Sequence, residues 1–403
     1  MTERLLIVGS GMATARLLEE LTEREYGGEI TVVGEEQQAS YNRILLSSIL
    51  SGDKSLVDIP LLDADWYQDR GVSLITGQRI EAIDLANREA CAASGDRYKF
   101  DRLVFATGSR AHIPDIEGVN APGVMGFRSI ADLDTIRSSV KPGANVAIVG
   151  GGLLGLEAAH GINSLGARVT VVHRQPHLMN RQLDAQAARL LQRQLEARGI
   201  DFVLGVSPER VLCENHSAAG LQLENEQAVS ASLVLFAAGI DPNKELAERA
   251  GLACDRAIIA DEHLRTSLPG VYALGECCQI NGRTFGLVAP VNQQAEVLAR
   301  NLTGQYSPGY HWENAPTQLK VSGIDLFSAG DLPFPEDTRS QVLTDEAQGL
   351  YRRLVFRDSQ LVGAILLGDR TGGLWYSSLI DSGMDVSAYG ASLMFGEVYC
   401  KAS

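Results

Sequence analysis

The sequence predicts an α/β fold built from two copies of one strand–turn–helix–strand unit. An apolar run leads into a glycine-rich turn at Gly9–Thr14, and the same pattern returns at Gly150–Gly155. In both places the turn is followed by apolar residues at helical spacing and then by a second apolar run. Length is the third observation, because 403 residues are enough for two or three domains.

Composition and charge narrow the range of partners. The chain has 35 basic and 50 acidic side chains and a net charge of −15, which argues against general binding to nucleic acid or to an anionic membrane. No apolar run approaches the roughly 18 residues of a membrane span, and the run after Arg4 is too short for a signal peptide. The six cysteines have no metal-ligand spacing, so we expect a cytoplasmic protein without a metal site.

The first copy shows what such a turn does. Its first glycine permits a sharp change of direction, and its second lets backbone N–H groups approach a pyrophosphate at the positive end of the helix. The copy runs through Arg4–Val8, a helix over Ala15–Glu25 and Ile30–Val33. An acid that binds ribose hydroxyls is expected just beyond, at Glu35. Thr14 replaces the third glycine, and we expect this change only to loosen one packing contact.

The second copy runs through Asn145–Val149, a helix over Leu156–Leu165 and Arg168–Val172, and it ends in His173-Arg174 without an acid. A cation there would accept the 2′-phosphate of NADPH, whereas the alternative is that both side chains are solvated, so the choice between NADH and NADPH stays open. Two such units predict two dinucleotides. A tightly held FAD and an exchanging nicotinamide coenzyme are the natural pair, because hydride can pass from nicotinamide to flavin.

Three later segments place a glycine directly after an apolar run: Ala106-Thr107-Gly108-Ser109, Ala237-Ala238-Gly239 and Ala273-Leu274-Gly275-Glu276. With the two turns, their order resembles the pyridine nucleotide–disulfide oxidoreductase superfamily, flavoproteins that bind two dinucleotides. The resemblance implies a glutathione-reductase-like α/β fold with two Rossmann-like domains and a small C-terminal α+β interface domain. It also implies that Glu276 holds a ribityl hydroxyl of FAD and that Thr107 and Gly108 lie near its adenine half.

Finer matches indicate one branch of this superfamily. They are the segments 39–48, 178–184, 285–295 and 319–331. Together they resemble the N-terminal part of assimilatory nitrite reductase large subunits, the stand-alone electron-transfer subunits of assimilatory nitrate reductase, and rubredoxin reductases. The resemblance spans nearly the whole chain and implies an NAD(P)H-dependent flavoprotein reductase.

The turns and the resemblance together give two sets of candidate cofactor residues. For FAD they are Gly9, Gly11, Met12, Ala13, Glu35, Arg43, Ala106, Thr107, Gly108, Gly275, Glu276, Ala289 and Pro290. For NADH or NADPH they are Gly150, Gly152, Leu153, Leu154, Gly155, Glu157, His173, Arg174 and Gly239. No residue has a certain catalytic role. Glu157 resembles a glutamate that approaches the nicotinamide, and the alternative is an acid that complements the helix dipole.

Cysteine redox chemistry is not expected. Where related disulfide reductases and peroxidases carry a redox-active cysteine, this chain has Leu46-Ser47-Ser48, and serine cannot form a disulfide or a sulfenate. We expect Cys277 and Cys278 to be reduced packing residues, because a vicinal disulfide is strained. The chain ends at Ser403 without the cysteines of an iron–sulfur centre, so we expect electrons to pass to a separate protein.

The resemblance implies three domains. Residues 1–111 and 241–310 form an FAD-binding domain, residues 112–240 an NAD(P)-binding domain, and residues 311–403 an interface domain of a kind that often builds homodimers. Within the last, apolar runs at 351–356 and 361–367 predict a hairpin with a four-residue loop.

The sequence thus predicts a reductase that passes electrons from NAD(P)H through FAD to nitrate or nitrite reductase, rubredoxin or ferredoxin. Two other functions stay open: an NAD(P)H oxidase or diaphorase acting on oxygen or quinones, and a flavin-dependent signalling or assembly protein. Partner docking is predicted at the exposed edge of the C-terminal domain. A second candidate docking face, for which a solvated helix surface is the alternative, consists of Arg181, Arg189, Arg193 and Arg198.

Overall fold

The computed structural model describes residues 2–312, 317–330, 332, 334 and 336–400. Asp331 and residues 401–403, which belong to the predicted C-terminal domain, lie outside the described residues. The α-helices found in the described part are α1 (Met12–Glu23), α2 (Leu46–Leu50), α3 (Ala64–Asp69), α4 (Ile130–Ser139), α5 (Leu153–Ser164), α6 (Ala185–Glu196), α7 (Glu245–Arg249), α8 (Val288–Leu302), α9 (Gly373–Ser382) and α10 (Glu397–Cys400). Short 3₁₀ helices lie at Arg43–Leu45, Leu56–Asp58, Gly275–Cys277 and Ser387–Phe395.

The strands of the first half are β1 (Arg4–Val8), β2 (Glu29–Val33), β3 (Ser73–Ile75), β4 (Ile80–Asp84), β5 (Glu89–Ala92), β6 (Arg97–Lys99), β7 (Arg102–Phe105), β8 (Ser109–Ala111), β9 (Val124–Gly126), β10 (Asn145–Val149), β11 (Arg168–His173) and β12 (Ile200–Leu204). Those of the second half are β13 (Pro208–Glu214), β14 (Ser217–Leu223), β15 (Ala228–Ser230), β16 (Leu233–Phe236), β17 (Ile240–Pro242), β18 (Ile258–Ala260), β19 (Val271–Ala273), β20 (Cys278–Ile280), β21 (Arg283–Thr284), β22 (Thr317–Val321), β23 (Ile324–Ala329), β24 (Arg339–Asp345), β25 (Leu350–Arg357) and β26 (Gln360–Leu367).

The chain divides into two compact units. The first takes its residues from Met1–Leu46, Lys54–Arg110 and Ile240–Glu313. The second takes its residues from Ser47–Asp53, Ala111–Gly239 and Asn314–Ser403. Because this division has two parts, the three-domain boundaries given by the sequence stay a prediction.

Each unit contains one five-stranded parallel sheet, and the two sheets have the same design. The strand order is β19-β7-β1-β2-β3 in the first unit and β12-β11-β10-β16-β9 in the second. The central strands β1 and β10 open the two copies, and the next strand of each copy, β2 or β11, lies beside them. The α/β class with two Rossmann-like sheets is therefore confirmed.

The strands form where the sequence is continuously apolar, since a parallel sheet is covered on both faces. Leu5–Val8 and Val146–Val149 are buried throughout. The helices begin about one turn earlier than the apolar spacing predicts, α1 at Met12 and α5 at Leu153. The reason is that the second glycine of each turn is already the helix N-cap, so the residues after it are helical.

The core of the first unit joins its sheet to two helices. Leu17, Leu18 and Leu21 of α1 and Leu298 of α8 are buried in the same apolar cluster as the strands β1 and β7. This packing holds α1 and α8 against the sheet, and candidate FAD residues lie in the first turns of both helices.

The C-terminal part of the second unit is a five-stranded antiparallel sheet in the order β22-β23-β26-β25-β24, packed against α9. The predicted hairpin is formed by β25 and β26, but its predicted four-residue loop is wrong. Arg357 pairs with Gln360, so Asp358 and Ser359 alone make the turn. Asp358 has a φ of 52°, a left-handed conformation that aspartate tolerates better than most residues.

The described residues contain neither a membrane-spanning helix nor a cluster of metal-binding side chains. None of their helices combines the length and the apolar character that a membrane crossing requires. They also contain no group of three or more histidine, cysteine, aspartate or glutamate side chains placed to hold a metal ion.

Candidate functional site

The first glycine turn is tight because Gly9 adopts a conformation that other residues disfavour. Its φ is 110°, and a Cβ atom added there would lie 2.2 Å from the carbonyl oxygen of Ala106. By contrast, no atom lies within 4 Å of a Cβ built on Gly11. The turn therefore leaves open space in front of α1, which fits the close approach of a pyrophosphate.

The second glycine turn repeats this geometry. Gly150 has a φ of 131°, and a Cβ on it would lie 2.4 Å from the carbonyl oxygen of Ala237. No atom lies within 4 Å of a Cβ built on Gly152. Gly155 permits the close approach of helix and turn, because a Cβ there would lie 2.0 Å from the carbonyl oxygen of Gly150.

Thr14 has the position in the first copy that Gly155 has in the second. Its side chain is fully buried, and Oγ1 donates a 2.6 Å hydrogen bond to the carbonyl oxygen of Gly9. The expectation that this threonine merely loosens a packing contact is therefore wrong, because the hydroxyl bonds to the turn directly.

Several candidate residues lie in the first turns of three helices, and none of these helices has a side-chain cap at its N-terminus. α1 begins after Gly11, α5 after Gly152 and α8 after Leu287, and no side chain caps these helices. Since α7 and α9 also start uncapped, an open start is informative only beside a glycine that leaves room for a ligand, as at α1 and α5. The candidate residues in the first turns of these helices are Met12, Ala13, Leu153, Leu154, Ala289 and Pro290.

The candidate FAD residues of the first unit are brought together from distant segments. A Cβ on Gly275 would lie 3.1 Å from the Cβ of Ala13. The carboxylate of Glu276 accepts a 2.8 Å hydrogen bond from the hydroxyl of Ser109 and interacts with the charge of Arg43. Segments more than 160 residues apart in sequence thus meet at one end of the parallel sheet.

Two residues that hold this cluster were missed by the sequence reasoning. The Thr107 hydroxyl donates to the carbonyl oxygen of Asn243 at 2.7 Å, and Asn243 Nδ2 donates to the carbonyl oxygen of Thr107 at 2.8 Å. Fully buried Gln294 accepts the N–H of Gly275 at 3.0 Å, and its Nε2 has no partner among the described residues. Gln294 lies inside the matched segment 285–295 and Asn243 shortly after Gly239, but neither side chain signals a role by its chemical type. An unpaired buried donor beside Gly275 fits a site that a polar ligand completes.

The two acidic residues that follow β2 have different partners in the structure. Glu35, the expected ribose ligand, is exposed at the strand end, 67% for its side chain, and pairs with Arg79 at 3.4 Å. Its neighbour Glu36 instead pairs with Arg43 and accepts a hydrogen bond from the hydroxyl of Tyr41. Although burial lowers the pKa of Arg43, Tyr41 and Glu36 raise it above its ordinary value. Arg43 is therefore a fixed cation among the candidate FAD residues. The role of Glu35 as a ribose ligand stays a prediction.

Glu157 is held by two donors of the second unit. The hydroxyl of buried Ser47 donates to one carboxylate oxygen, and the N–H of Ser322 donates to the other at 3.3 Å. The first turn of α5 contains no acidic residue, so Glu157 lies too far along the helix for the dipole alternative to explain it. A role beside the nicotinamide stays a prediction.

His173 and Arg174 lie at the end of β11 and differ in exposure. Arg174 is exposed, whereas His173 is half-buried and its Nδ1 accepts the N–H of Gly151 at 3.1 Å. Gly239, the remaining candidate, follows β16 with a φ of 134° and accepts the N–H of His112 at 3.0 Å.

The adjacent cysteines are free thiols in the core. Cys277 and Cys278 are both fully buried. Burial raises the pKa of each thiol above its ordinary value, and the shift is large for Cys278. Both groups are therefore protonated packing residues at neutral pH, poorly suited to nucleophilic chemistry.

The paired parallel sheets and their glycine turns define a protein of the two-Rossmann-domain class. Residues 3–297 match the family described as pyridine nucleotide-disulphide oxidoreductase, and residues 316–384 match the rubredoxin NAD+ reductase C-terminal domain. The chain belongs to the pyridine nucleotide-disulphide oxidoreductase family, as its motifs predict.

Similar proteins include two from Bacillus subtilis (strain 168). A nitrite reductase (NAD(P)H) is 40% identical over 386 residues, 96% of this chain and 48% of its own length. An assimilatory nitrate reductase electron transfer subunit is 39% identical over 369 residues, 91% of this chain and 48% of its own length. The chain thus spans about half the length of these relatives. The crystal structure of a ferredoxin reductase for the CYP199A2 system from Rhodopseudomonas palustris is 25% identical with a TM-score of 0.82, covering 96% of this chain and 98% of that one.

Proposed function

We propose that the chain is a flavoprotein reductase whose first unit binds FAD and whose second unit binds NADH or NADPH. Electrons taken from the coenzyme as hydride then pass to a separate redox protein. The observation that carries this proposal is the repeated turn, in which an uncapped helix starts behind a glycine that leaves open space, at Gly11 and again at Gly152. FAD, when bound, supplies the coupling between two-electron and one-electron transfer.

The side chains of this site position the cofactors and take no part in covalent chemistry. Backbone amides at the starts of α1 and α5 would bind the two pyrophosphates. The carboxylate of Glu276, beside Arg43, would accept a hydrogen bond from a ribityl hydroxyl of FAD. Hydride transfer needs no protein base, only correct placement of the reacting rings. Glu157, fixed by Ser47 and Ser322, would orient the nicotinamide.

The electron acceptor we propose is a nitrate or nitrite reductase component, with a rubredoxin or ferredoxin as the alternative. The Bacillus relatives are named for nitrite reductase and for electron transfer in nitrate assimilation, and they match nearly all of this chain. The match of residues 316–384 to a rubredoxin reductase domain supports the alternative.

The arginine surface predicted as a docking face is partly engaged within the second unit. Arg193 pairs with Glu346 at 2.9 Å, and Arg198 donates to the carbonyl oxygen of Ser322. Arg181 and Arg189 are exposed. Arg193 and Arg198 are exposed as well, so docking at the surface of these four arginines stays a prediction.

Anaerobic stopped-flow spectroscopy tests the proposal. We expect NADH or NADPH to bleach the flavin band within a catalytic turnover, and an added rubredoxin, ferredoxin or nitrate reductase component to restore it. If neither coenzyme bleaches the band, the reductase function is overturned. If oxygen alone restores the band as fast as the coenzyme bleaches it, an oxidase replaces the electron-transfer reductase.

A further inference from the structure

The two glycine turns can be superposed through one shared hydrogen bond. In the first copy the N–H of Gly9 donates to the carbonyl oxygen of Val33, and in the second the N–H of Gly150 donates to that of Val172, both at 2.8 Å. The residue after each glycine and the residue after each valine are therefore equivalent between the copies.

At each pair of equivalent positions, one copy has a glycine and the other has a residue with a side chain. Ser10 corresponds to Gly151, and Gly34 corresponds to His173. A Cβ on Gly34 would lie 2.1 Å from Oγ of Ser10, and a Cβ on Gly151 would lie 2.8 Å from the His173 ring. The same space is thus filled from the turn by serine in the first copy and from the strand by imidazole in the second.

The imidazole does more than fill this space. Nδ1 of His173 accepts the N–H of Gly151 at 3.1 Å, while the carbonyl oxygen of Gly151 accepts the N–H of Met179 at 2.9 Å. Gly151 is therefore held on both sides. Because a backbone N–H can only donate, Nδ1 must carry a lone pair, so the ring is neutral with its proton on Nε2.

The surroundings of the ring favour this neutral form. Burial lowers the pKa of His173, a contact with Asn180 raises it, and the charges of Arg174 and His177 lower it further, so the overall shift is downward. Arg174 and His177 are the charged and titratable groups that act on the ring. Protonation would place an N–H of the ring against the N–H of Gly151 and break the contact.

We propose that neutral His173 is a positioning residue for the nicotinamide coenzyme, which fixes the turn that receives the pyrophosphate and does not bind a 2′-phosphate. This inference rests on the proposed function, because it takes the second unit as the coenzyme site. The predicted 2′-phosphate role then passes to exposed Arg174, which has the position that Glu35 has in the first copy.

The first test needs no turnover. Long-range ¹H–¹⁵N NMR correlations of the histidine rings distinguish the two neutral tautomers and the cation, and H173N identifies the His173 signals by their absence. We expect His173 of the wild-type holoprotein to carry its proton on Nε2 at pH 8. A proton on Nδ1, or a charged ring at pH 8, overturns the proposal even if no coenzyme reduces the flavin.

The second test separates positioning from charge recognition. H173L removes the acceptor, whereas H173N keeps an oxygen close to the place of Nδ1. We expect H173L to raise KM for NADH and NADPH alike by about five- to tenfold, the effect of one hydrogen bond, with kcat little changed. H173N should restore KM to within about twofold of wild type. H216N, which changes an exposed histidine of the same unit in the turn between β13 and β14, is the matched control.

The pH profile completes this test. KM of the wild type should rise as pH falls through the pKa of His173, and this acid limb should be absent in H173N. Selective loss of NADPH binding in H173L, failure of H173N to rescue, or an unchanged acid limb in H173N overturns the proposal. Flavin content and melting temperature show whether H173L folds; if it does not, the NMR tautomer and the H173N profile decide. A wild type that neither coenzyme reduces contradicts the proposed function instead.

Discussion

The hydroxyl of Ser47 donates a hydrogen bond to the carboxylate of Glu157 on helix α5, a contact within the second unit. The segment around Ser47 is also held by the guanidinium of Arg137, which donates to the carbonyl oxygen of Ile49. A Cβ on Gly161 would lie 2.8 Å from Leu50, so the contact is close along α2. The neutral hydroxyl of Ser47 therefore orients the carboxylate of Glu157. It lies in the segment where the resemblance implies a redox-active cysteine in related disulfide reductases.

Replacing Ser47 with alanine should weaken both the second unit and coenzyme oxidation. Among the described residues, only the N–H of Ser322 would remain as a donor to the carboxylate of Glu157. We expect the free energy of unfolding to fall by about 1.5–3 kcal/mol, the contribution of a hydrogen bond to a charged group. Flavin reduction by NADH or NADPH should slow several-fold with the FAD content unchanged, as followed by denaturant unfolding and stopped-flow spectroscopy.

Ser48 provides the control for this prediction, because it lies next to Ser47 on the same helix and is half-buried. S48A should behave as wild type in both measurements. If S47A and S48A slow flavin reduction equally, the hydrogen bond to Glu157 has no part in coenzyme oxidation.

Thr14 should matter through its hydroxyl and not through its shape. T14V keeps the branched shape but leaves the carbonyl oxygen of Gly9 without the 2.6 Å hydrogen bond. We expect a loss of about 1–2 kcal/mol in unfolding free energy and faster loss of FAD on dialysis, measured as the flavin-to-protein absorbance ratio. T14S, which retains the hydroxyl, should keep FAD like the wild type; equal retention by T14V would contradict the role assigned to the bond.

How much the sequence predicts depends on how local the cause is. The turns at Gly9 and Gly150 could be predicted, because a positive φ after an apolar strand is a property of a few adjacent residues. The Thr14 hydrogen bond, the tautomer of His173 and the support from Asn243 could not. Each depends on which atoms face one another after folding, and neither propensity nor spacing encodes that.

The contacts of Asp184 lead us to expect that the free energy of unfolding decreases at acid pH. Its carboxylate caps α6 through the N–H of Ala187 and accepts hydrogen bonds from Tyr351 at 2.6 Å and Arg353 at 2.8 Å. Although burial raises the pKa of Asp184, these bonds lower it below its ordinary value overall. The ionised carboxylate therefore stabilises the fold above its unfolded pKa of about 4, and this contribution is lost as pH falls through the lower folded pKa.

D184N isolates the charge, because asparagine also caps helices. At pH 7 we expect D184N to unfold with about 1–3 kcal/mol less free energy than wild type, and the difference should shrink as pH falls from about 5 to about 3. Urea unfolding at several pH values measures this. A difference that is constant across that range would show that packing, not ionisation, is what Asp184 contributes.

Gly11 and Gly152 allow the two cofactor sites to be blocked separately. Gly11 has φ −83° and ψ −167°, Gly152 has φ −88° and ψ −176°, and neither has an atom within 4 Å of an added Cβ. A valine at either position therefore clashes with no protein atom at its Cβ and adopts an ordinary extended backbone, so it should obstruct only a ligand. We expect G11V to fold but to lose FAD, and G152V to retain FAD while its KM for NADH and NADPH rises at least tenfold. Circular dichroism, the flavin absorbance ratio and steady-state kinetics measure the three effects, and each variant is the control for the other. Both turns present the same open space, so each valine should affect only the cofactor that binds in its own copy. Equal loss of flavin from both variants would therefore overturn the assignment of FAD to the first copy.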